Sequence, residues 1–431
     1  MNEANGARET TLEILDEVFR GHDEVDFAVR LWDGTVWPRD ASISPSFTLV
    51  LNQPGALREM FLPPSELNLG ESFIYGVFGV EGDLIAAFPL ADTFQELDLG
   101  LGDKLGLAWK LRSLPKDRSA RDGRQAARVS GAVHSRERDR QAISYHYDIS
   151  NDFYALWLDE RMVYSCAYFA HHGEDIHTAQ ERKLDYVCRK LRLQPGERLL
   201  DIGCGWGGLV IHAAKRYGVE ALGITLSEPQ VELAERRIER AGLSDRCRVV
   251  YQDYRDVAPG EPFDKLVSVG MFEHVGEEKM RRYFHHAWDI LCSEGLFLNH
   301  AIARPGWKPA ADDPDTFSNR YAFPDGELTP ISHSLRIAEE LGFEVRDVES
   351  LREHYALTLR RWVSRLEERR DDALKHVDEV TYRVWRLFMS GSAYGFETGE
   401  LNIYQSLLTK PGRGGESGLP LTRADLYRPS A

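Results

Sequence analysis

Asp201, Gly203, Gly205, Gly207 and Gly208 follow directly on the apolar pair Leu199-Leu200, and their types and spacing imply ligand chemistry. An apolar run that ends in an acidic residue and then in glycines is a buried strand turning sharply into a helix, with backbone N–H groups open to a ligand. Such a turn cradles something nucleotide-like. By itself G-x-G-x-G-G fits dinucleotide enzymes as well as other users of nucleotide cofactors. The end of the following strand, Ala221 to Leu226, carries Thr225 with Gln230 beyond it, where NAD enzymes place an acidic residue on the ribose. That difference disfavours NAD. His171, His172, His177 and the pair His285-His286 have no partners at ligand spacing, so no metal is expected. Cys166, Cys188, Cys204, Cys247 and Cys292 form no C-x-x-C unit and read as free thiols in a reducing compartment.

The elements that must position this turn alternate. Glu228 to Ala241 has helical periodicity, and Arg248 to Asp253 reads as a third strand ending in Gln252-Asp253-Tyr254. Phe263 to Gly270 and Gly295 to Ala303 follow as strands, with a helix from Glu277 to Leu291 between them. This is the rhythm of a mostly parallel α/β sheet, whose ligands lie at the carboxyl ends of the strands. Helices are expected over Ile331 to Leu341, Tyr355 to Arg369 and Thr381 to Phe396, and Leu401 to Thr409 as the antiparallel edge strand.

At 431 residues the chain is too long for one ordinary core. Residues 1–108 predict a small α+β domain: a helix over Thr11 to Arg20, a hairpin around Asp33-Gly34, a strand over Ser46 to Asn52, a helix over Pro54 to Met60, and a strand or turn followed by a helix between Phe73 and Phe88. Residues 109–141, poor in apolar side chains, read as a basic mobile linker. Residues 142–411 hold the alternating sheet and read as the second, larger domain, and the Gly- and Pro-rich 412–431 as a loose tail.

Net charge of −16 argues against nucleic-acid binding. Its distribution is uneven: residues 1–100 hold 18 acidic against 5 basic side chains, whereas residues 110–140 hold 10 basic against 4 acidic. No apolar run is long enough to span a membrane, and the start of the chain has no signal-peptide pattern, so a cytoplasmic protein is expected.

Ser165-Cys166-Ala167-Tyr168, Leu200 to Gly208, Gln252-Asp253-Tyr254-Arg255-Asp256 and Ser268 to Gly276 occur in one order that resembles the cyclopropane-fatty-acid synthase family of S-adenosylmethionine-dependent methyltransferases. The resemblance runs from about Ile143 to Lys410, with a looser match over the first hundred residues. It implies a class I, Rossmann-like methyltransferase sheet with a small α+β domain before it. Methyl transfer to the cis double bond of an unsaturated phospholipid acyl chain is implied as well, with S-adenosylmethionine as donor.

The resemblance assigns roles residue by residue. Tyr164 and Ser165 would touch the cofactor, Asp201, Gly203, Gly205 and Gly207 its amino-acid side, Thr225, Leu226 and Gln230 the ribose, and Gln252, Asp253 and Tyr254 the adenine. A bicarbonate ion is implied as general base, held by Cys166, Glu273, His300, the Ile302 amide and Tyr355. Donors of this kind can orient a small anion, and Glu273 can share a proton with it. Direct proton loss with ring closure gives a cyclopropane; a hydride shift first gives a mid-chain methylene, which a separate reductase would convert to a methyl branch. The expected setting is peripheral, at the inner face of the membrane, with a homodimer as one expected assembly. A small-molecule methyltransferase and a silent S-adenosylmethionine-binding protein are the other readings.

Overall fold

A computed structural model describes residues 3–19, 26–38, 45–90, 101–117, 121–307 and 315–427. The chain divides into two compact units. One comprises residues 1–126, 315–322 and 378–394; the other comprises 127–314, 323–377 and 395–431.

In the first unit four strands, β1 (Phe27–Arg30), β2 (Val36–Trp37), β3 (Phe47–Leu51) and β4 (Phe78–Gly82), form a sheet of order β2-β1-β3-β4. The Asp33-Gly34 turn joins β1 to β2 antiparallel as expected, with Gly34 at φ +87°. The first helix spans Glu3–Val18, longer than its periodicity predicts, and residues 20–25 lie outside the described ones. Between Phe73 and Phe88 the expected strand is β4 and the short 3₁₀ helix Ile85–Ala87 follows it, while helix Glu66–Ile74, capped by Ser65, precedes both. Two later stretches return to complete this unit. Arg383 donates to the Phe73 carbonyl (2.9 Å), and the Tyr321 hydroxyl donates to Glu71 (2.9 Å).

The second unit is built on seven strands: β5 (Arg198–Ile202), β6 (Glu220–Thr225), β7 (Cys247–Tyr251), β8 (Phe263–Val269), β9 (Leu291–Ala303), β10 (Glu344–Ser350) and β11 (Asn402–Thr409). Their order is β10-β11-β9-β8-β5-β6-β7, with β9-β8-β5-β6-β7 parallel and β11 antiparallel to both its neighbours. The direction of winding changes between β5 and β8, and it is there that α/β sheets open a crevice for ligands. Apolar clusters fill both faces, one around Leu199, Val210 and Val249 and the other around Leu200, Phe284 and Phe297.

The sheet differs from expectation at one margin. β11 is internal, and the edge is β10, whose charged alternation conceals it. Asp347 points inward from β10, where Lys190 (3.2 Å) and Arg423 neutralise it.

The expected linker is helical at its two ends, and the expected tail carries a short 3₁₀ helix, Ala424–Tyr427. Helix Leu101–Ser113 runs past residue 108, and helix Arg136–Tyr147 starts before 142. Carboxylates distant in sequence pair with part of the basic stretch: Arg121 with Glu71 (2.6 Å), Arg136 with Asp256 (2.7 Å), and Arg138 with Asp325. Residues 118–120 of that stretch lie outside the described ones. In the tail Leu426 is buried, Arg189 donates to its carbonyl (2.7 Å), and Arg192 pairs with Asp425 (2.9 Å).

Candidate active site

The glycine turn after β5 is left-handed at Gly203 (φ +83°), Gly205 (+55°) and Gly207 (+78°), a region L side chains rarely adopt. A Cβ on Gly203 would meet Met271 Cβ at 2.8 Å, so this glycine is also required for close packing. Gly207 caps helix Gly208–Tyr217 and lies behind the turn. A pocket opens over the carboxyl ends of β5, β6 and β7. Tyr164, Ser165, Asp201, Gly203, Gly205, Thr225, Leu226, Gln230, Gln252, Asp253 and Tyr254 all line it, whereas Gly207 does not. Thr225 donates to Gln230 Oε1 (2.6 Å), which fixes this buried pair.

The Asp253 carboxylate is already engaged. It accepts from the Arg255 backbone (2.9 Å) and from its guanidinium (2.8 and 2.6 Å), and Arg255 pairs in turn with Asp139 (3.0 Å) on helix Arg136–Tyr147. Asp253 is therefore one member of a charged set with Arg255 and Asp139, both of which also line the pocket.

Helix Ile176–Lys190 positions the segment carrying Tyr164, Ser165 and Cys166. Gln180 donates to the Ser165 carbonyl (2.8 Å), and Lys183 Nζ donates to Ser165 Oγ (2.9 Å). Lys183 is buried, which lowers its pKa to about 8 against the pull of Cys166, Asp159 and Asp201. Asp201, 2 % exposed, is pushed up to about 7 by burial, opposed by Lys183. Its Oδ1 has no hydrogen-bond partner. A buried carboxylate oxygen left bare fits a cationic group such as the amino end of S-adenosylmethionine.

The five residues assigned to the anion do not line this pocket. They come from the segment before helix Ile176–Lys190, from the ends of β8 and β9, and from helix Arg352–Glu368. Cys166 Sγ donates to the Leu351 carbonyl (3.7 Å), which also accepts from the Tyr355 backbone (3.0 Å). Burial pushes the Cys166 thiol up. The Tyr355 phenol is held well above its ordinary value by burial and by nearby Cys166, Glu273 and Tyr147.

Glu273 lies in a short turn after β8. Burial raises it to about 7, opposed by the Ile302 amide, which donates to Oε1 (2.7 Å). The Ile302 amide is therefore engaged with Glu273 rather than left open for an anion. His300 and Ile302 occupy alternate positions of β9 and so share a face. His300 is wholly buried and its pKa well lowered, so the ring is neutral. Gln405 on β11 pairs with it in register, with Nε2 3.5 Å from His300 Nδ1. Glu273 Oε2 and His300 Nε2 are both buried without a partner. Two such atoms on neighbouring strand ends fit a small anion with hydrogen-bonding capacity on both sides.

Sequence reasoning missed Lys183, Tyr147 and His274, which also line the pocket. Lys183 sits on the same helical stripe as buried Ala179, Gln180, Leu184 and Val187, and a lysine in an inward stripe was the available signal. Tyr147, Tyr164, His274 and Phe323 form an aromatic group, with Tyr147 centroids 6.2 Å from Tyr164, 6.5 Å from His274 and 6.3 Å from Phe323. Phe323 belongs to the same unit as the rest of this group, whereas Tyr321, two residues earlier, belongs to the first unit.

Comparison with known proteins agrees with this geometry. The family model described as mycolic acid cyclopropane synthetase matches residues 134–406. A probable fatty acid methyltransferase of Pseudomonas putida is 40% identical over 402 residues, covering 93% of this chain and 96% of the relative. Another from Mycobacterium tuberculosis is 37% identical over 423 residues, covering 95% and 96%. The crystal structure of mycolic acid cyclopropane synthase CmaA1 complexed with SAH and CTAB superposes with a TM-score of 0.59 at 32% identity, covering 62% of this chain and 97% of that one. With the glycine turn, the pocket and the strand order in agreement, the chain belongs to the mycolic acid cyclopropane synthetase family of class I S-adenosylmethionine-dependent methyltransferases.

Proposed function

We propose that this enzyme methylates the cis double bond of an unsaturated phospholipid acyl chain and yields a cyclopropane. The observation that carries this reading is the pair of orphaned buried atoms, Glu273 Oε2 and His300 Nε2, at the ends of β8 and β9. A methyltransferase acting on a heteroatom loses its proton readily to solvent, whereas alkene methylation creates a cation that water would quench, so a proton acceptor must be buried.

S-adenosylmethionine supplies the electrophilic methyl group when bound. Asp201 would hold its amino end, Ser165 and Lys183 fix the wall beside it, and Thr225 with Gln230 form the ribose edge. Tyr147, Tyr164 and Phe323 exclude water and present ring faces to positive charge, each such contact contributing about 0.5 to 2 kcal/mol. Glu273 and His300, with Cys166 and Tyr355 behind them, would hold a bicarbonate ion that supplies the base. Glu273 near neutrality is only partly ionised, so it can donate to an anion or take up a proton.

A mid-chain methylene is the second reading, favoured because the two relatives spanning nearly the whole chain are named fatty acid methyltransferases. In that case a reductase would act next. A cytoplasmic, peripheral position at the inner face of the membrane, and assembly as a homodimer, belong to the same proposal.

Mass spectrometry of fatty acid esters from a host supplied with monounsaturated phospholipid tests it. An ester heavier by one CH₂ unit is expected with the protein and absent without it. Mild hydrogenation then separates the outcomes, since an exomethylene takes up hydrogen and a cyclopropane resists. No new ester, with S-adenosylmethionine bound, would overturn the lipid reading in favour of a soluble substrate or a binding role.

A further inference from the structure

Helix Leu101–Ser113 has one face packed on its unit and one turned outward. Inward, Leu111 is buried and Lys110 pairs with Glu17 (2.9 Å) and Glu13 (3.3 Å) of helix Glu3–Val18, which fixes the helix to its unit. Outward, Leu105 and Trp109, one turn apart, are 72 % and 71 % exposed. Lys104 and Arg112 flank them and are exposed as well. Single exposed apolar side chains are ordinary. Two large ones stacked at i and i+4, with Arg112 one turn further along the same face, Lys104 at its margin and the helix's one acidic residue, Asp103, turned away, form an exposed patch that is apolar and cationic together.

The charge distribution supports one occupant. In the basic stretch that follows, Arg121, Arg136 and Arg138 each have a carboxylate partner. In a protein of net charge −16, an outward face that is both apolar and cationic is complementary to an anionic bilayer. Trp109 supplies an amphipathic ring suited to the head-group level.

We propose that the Leu105 and Trp109 face of helix Leu101–Ser113 docks this protein on an anionic phospholipid bilayer, with Lys104 and Arg112 at the head groups. The proposal rests on the reading above that the substrate is a membrane lipid.

The test is co-sedimentation of the full-length protein with vesicles of palmitoyl-oleoyl phosphatidylglycerol and, separately, of palmitoyl-oleoyl phosphatidylcholine. Binding to the anionic vesicles is expected to exceed binding to the zwitterionic ones. Leu105→Ser with Trp109→Ser should lower the partition coefficient by about ten-fold or more, from the apolar area withheld from the interface. Turnover on detergent-dispersed oleoyl phospholipid should persist in that variant, which separates the surface from the chemistry. Were the wild-type protein to bind vesicles through this face yet leave dispersed lipid unmodified, the proposed function would fall and the docking face would stand. An independent reading comes from quenching of tryptophan fluorescence by brominated lipid, which Trp109→Phe should reduce. Unchanged partition of the double variant, unchanged quenching in Trp109→Phe, or a fall in solution mass of the double variant, which would mark the face as an interface between copies, overturns the proposal.

Discussion

The Ile302 amide donates to Glu273 Oε1 at 2.7 Å and leaves Oε2 buried with no partner. One oxygen is thus committed to fixing the side chain, and the other is available for chemistry. Glu273→Gln keeps the first role and removes the ionisable second. Its turnover should fall by roughly 10²-fold or more, the scale of a general acid–base contribution. Affinity for S-adenosylhomocysteine, measured by calorimetry, should stay within about three-fold.

The same substitution has a stability signature. Burial lifts Glu273 from 4.5 to about 7, so between those values the folded protein keeps a proton that the unfolded chain has lost. The native state is favoured by that proton at low pH, and this contribution is lost as pH rises through the window. Glu273→Gln should therefore match the wild type in stability below 4.5 and gain on it up to about 7, after which the difference is constant. Denaturant melts on both sides of the window measure it.

Lys183 joins two roles that can be separated. Its ammonium donates to Ser165 Oγ at 2.9 Å, yet burying a charge is costly, and a methionine of similar length removes both effects. Lys183→Met should keep or raise the melting temperature while weakening cofactor binding by about ten-fold, the scale of one hydrogen bond to a charged group. Loss of both together would mark the lysine as merely structural.

Gln405 faces His300 across the β9 and β11 register. With the amide nitrogen toward Nδ1, the proton of the neutral ring sits on Nε2, the orphaned atom. Gln405→Leu should lower kcat several-fold and leave cofactor affinity unchanged, and Gln405→Glu, which reverses the donor, should shift the pH profile of kcat.

Gly203→Ala meets both a left-handed φ and Met271 at 2.8 Å. A loss of about 2 to 4 kcal/mol is expected from strain and overpacking together. Thermal melts check it, and the variant should bind cofactor poorly even where it folds.

The parallel part of the sheet was legible because each of its strands is an apolar run and each helix has a clean inward stripe. β6, β7 and β8 fall within a residue or two of their expected bounds. β10 was not legible, because Asp347 occupies an inward position that only Lys190 and Arg423, remote in sequence, make tolerable. The cofactor side of the site followed from the glycine turn and the strand ends. The anion side rested on resemblance, since no spacing in the chain announces that Cys166, Glu273, His300 and Tyr355 come together. Lys183 and Gln405 escaped notice for a related reason: a buried polar side chain is recognised by its partner, and the partner is not adjacent in sequence.

The first unit is assembled from three stretches of chain, the last of them the greater part of helix Glu379–Thr398. Arg383 and Arg386 of that helix donate to the carbonyls of Phe73 and Val80, Arg124 stacks over Trp385 at 4.9 Å, and a Cβ on Gly391 would meet the Phe88 ring at 3.0 Å. This unit is therefore no detachable cassette. A gene cut after residue 126 would express two fragments, one with its keystone helix missing and the other with Val384, Trp385 and Met389 unroofed. For anyone building chimaeras within this family, the natural crossover points lie on either side of the returning segments, and all three stretches must be exchanged as a set.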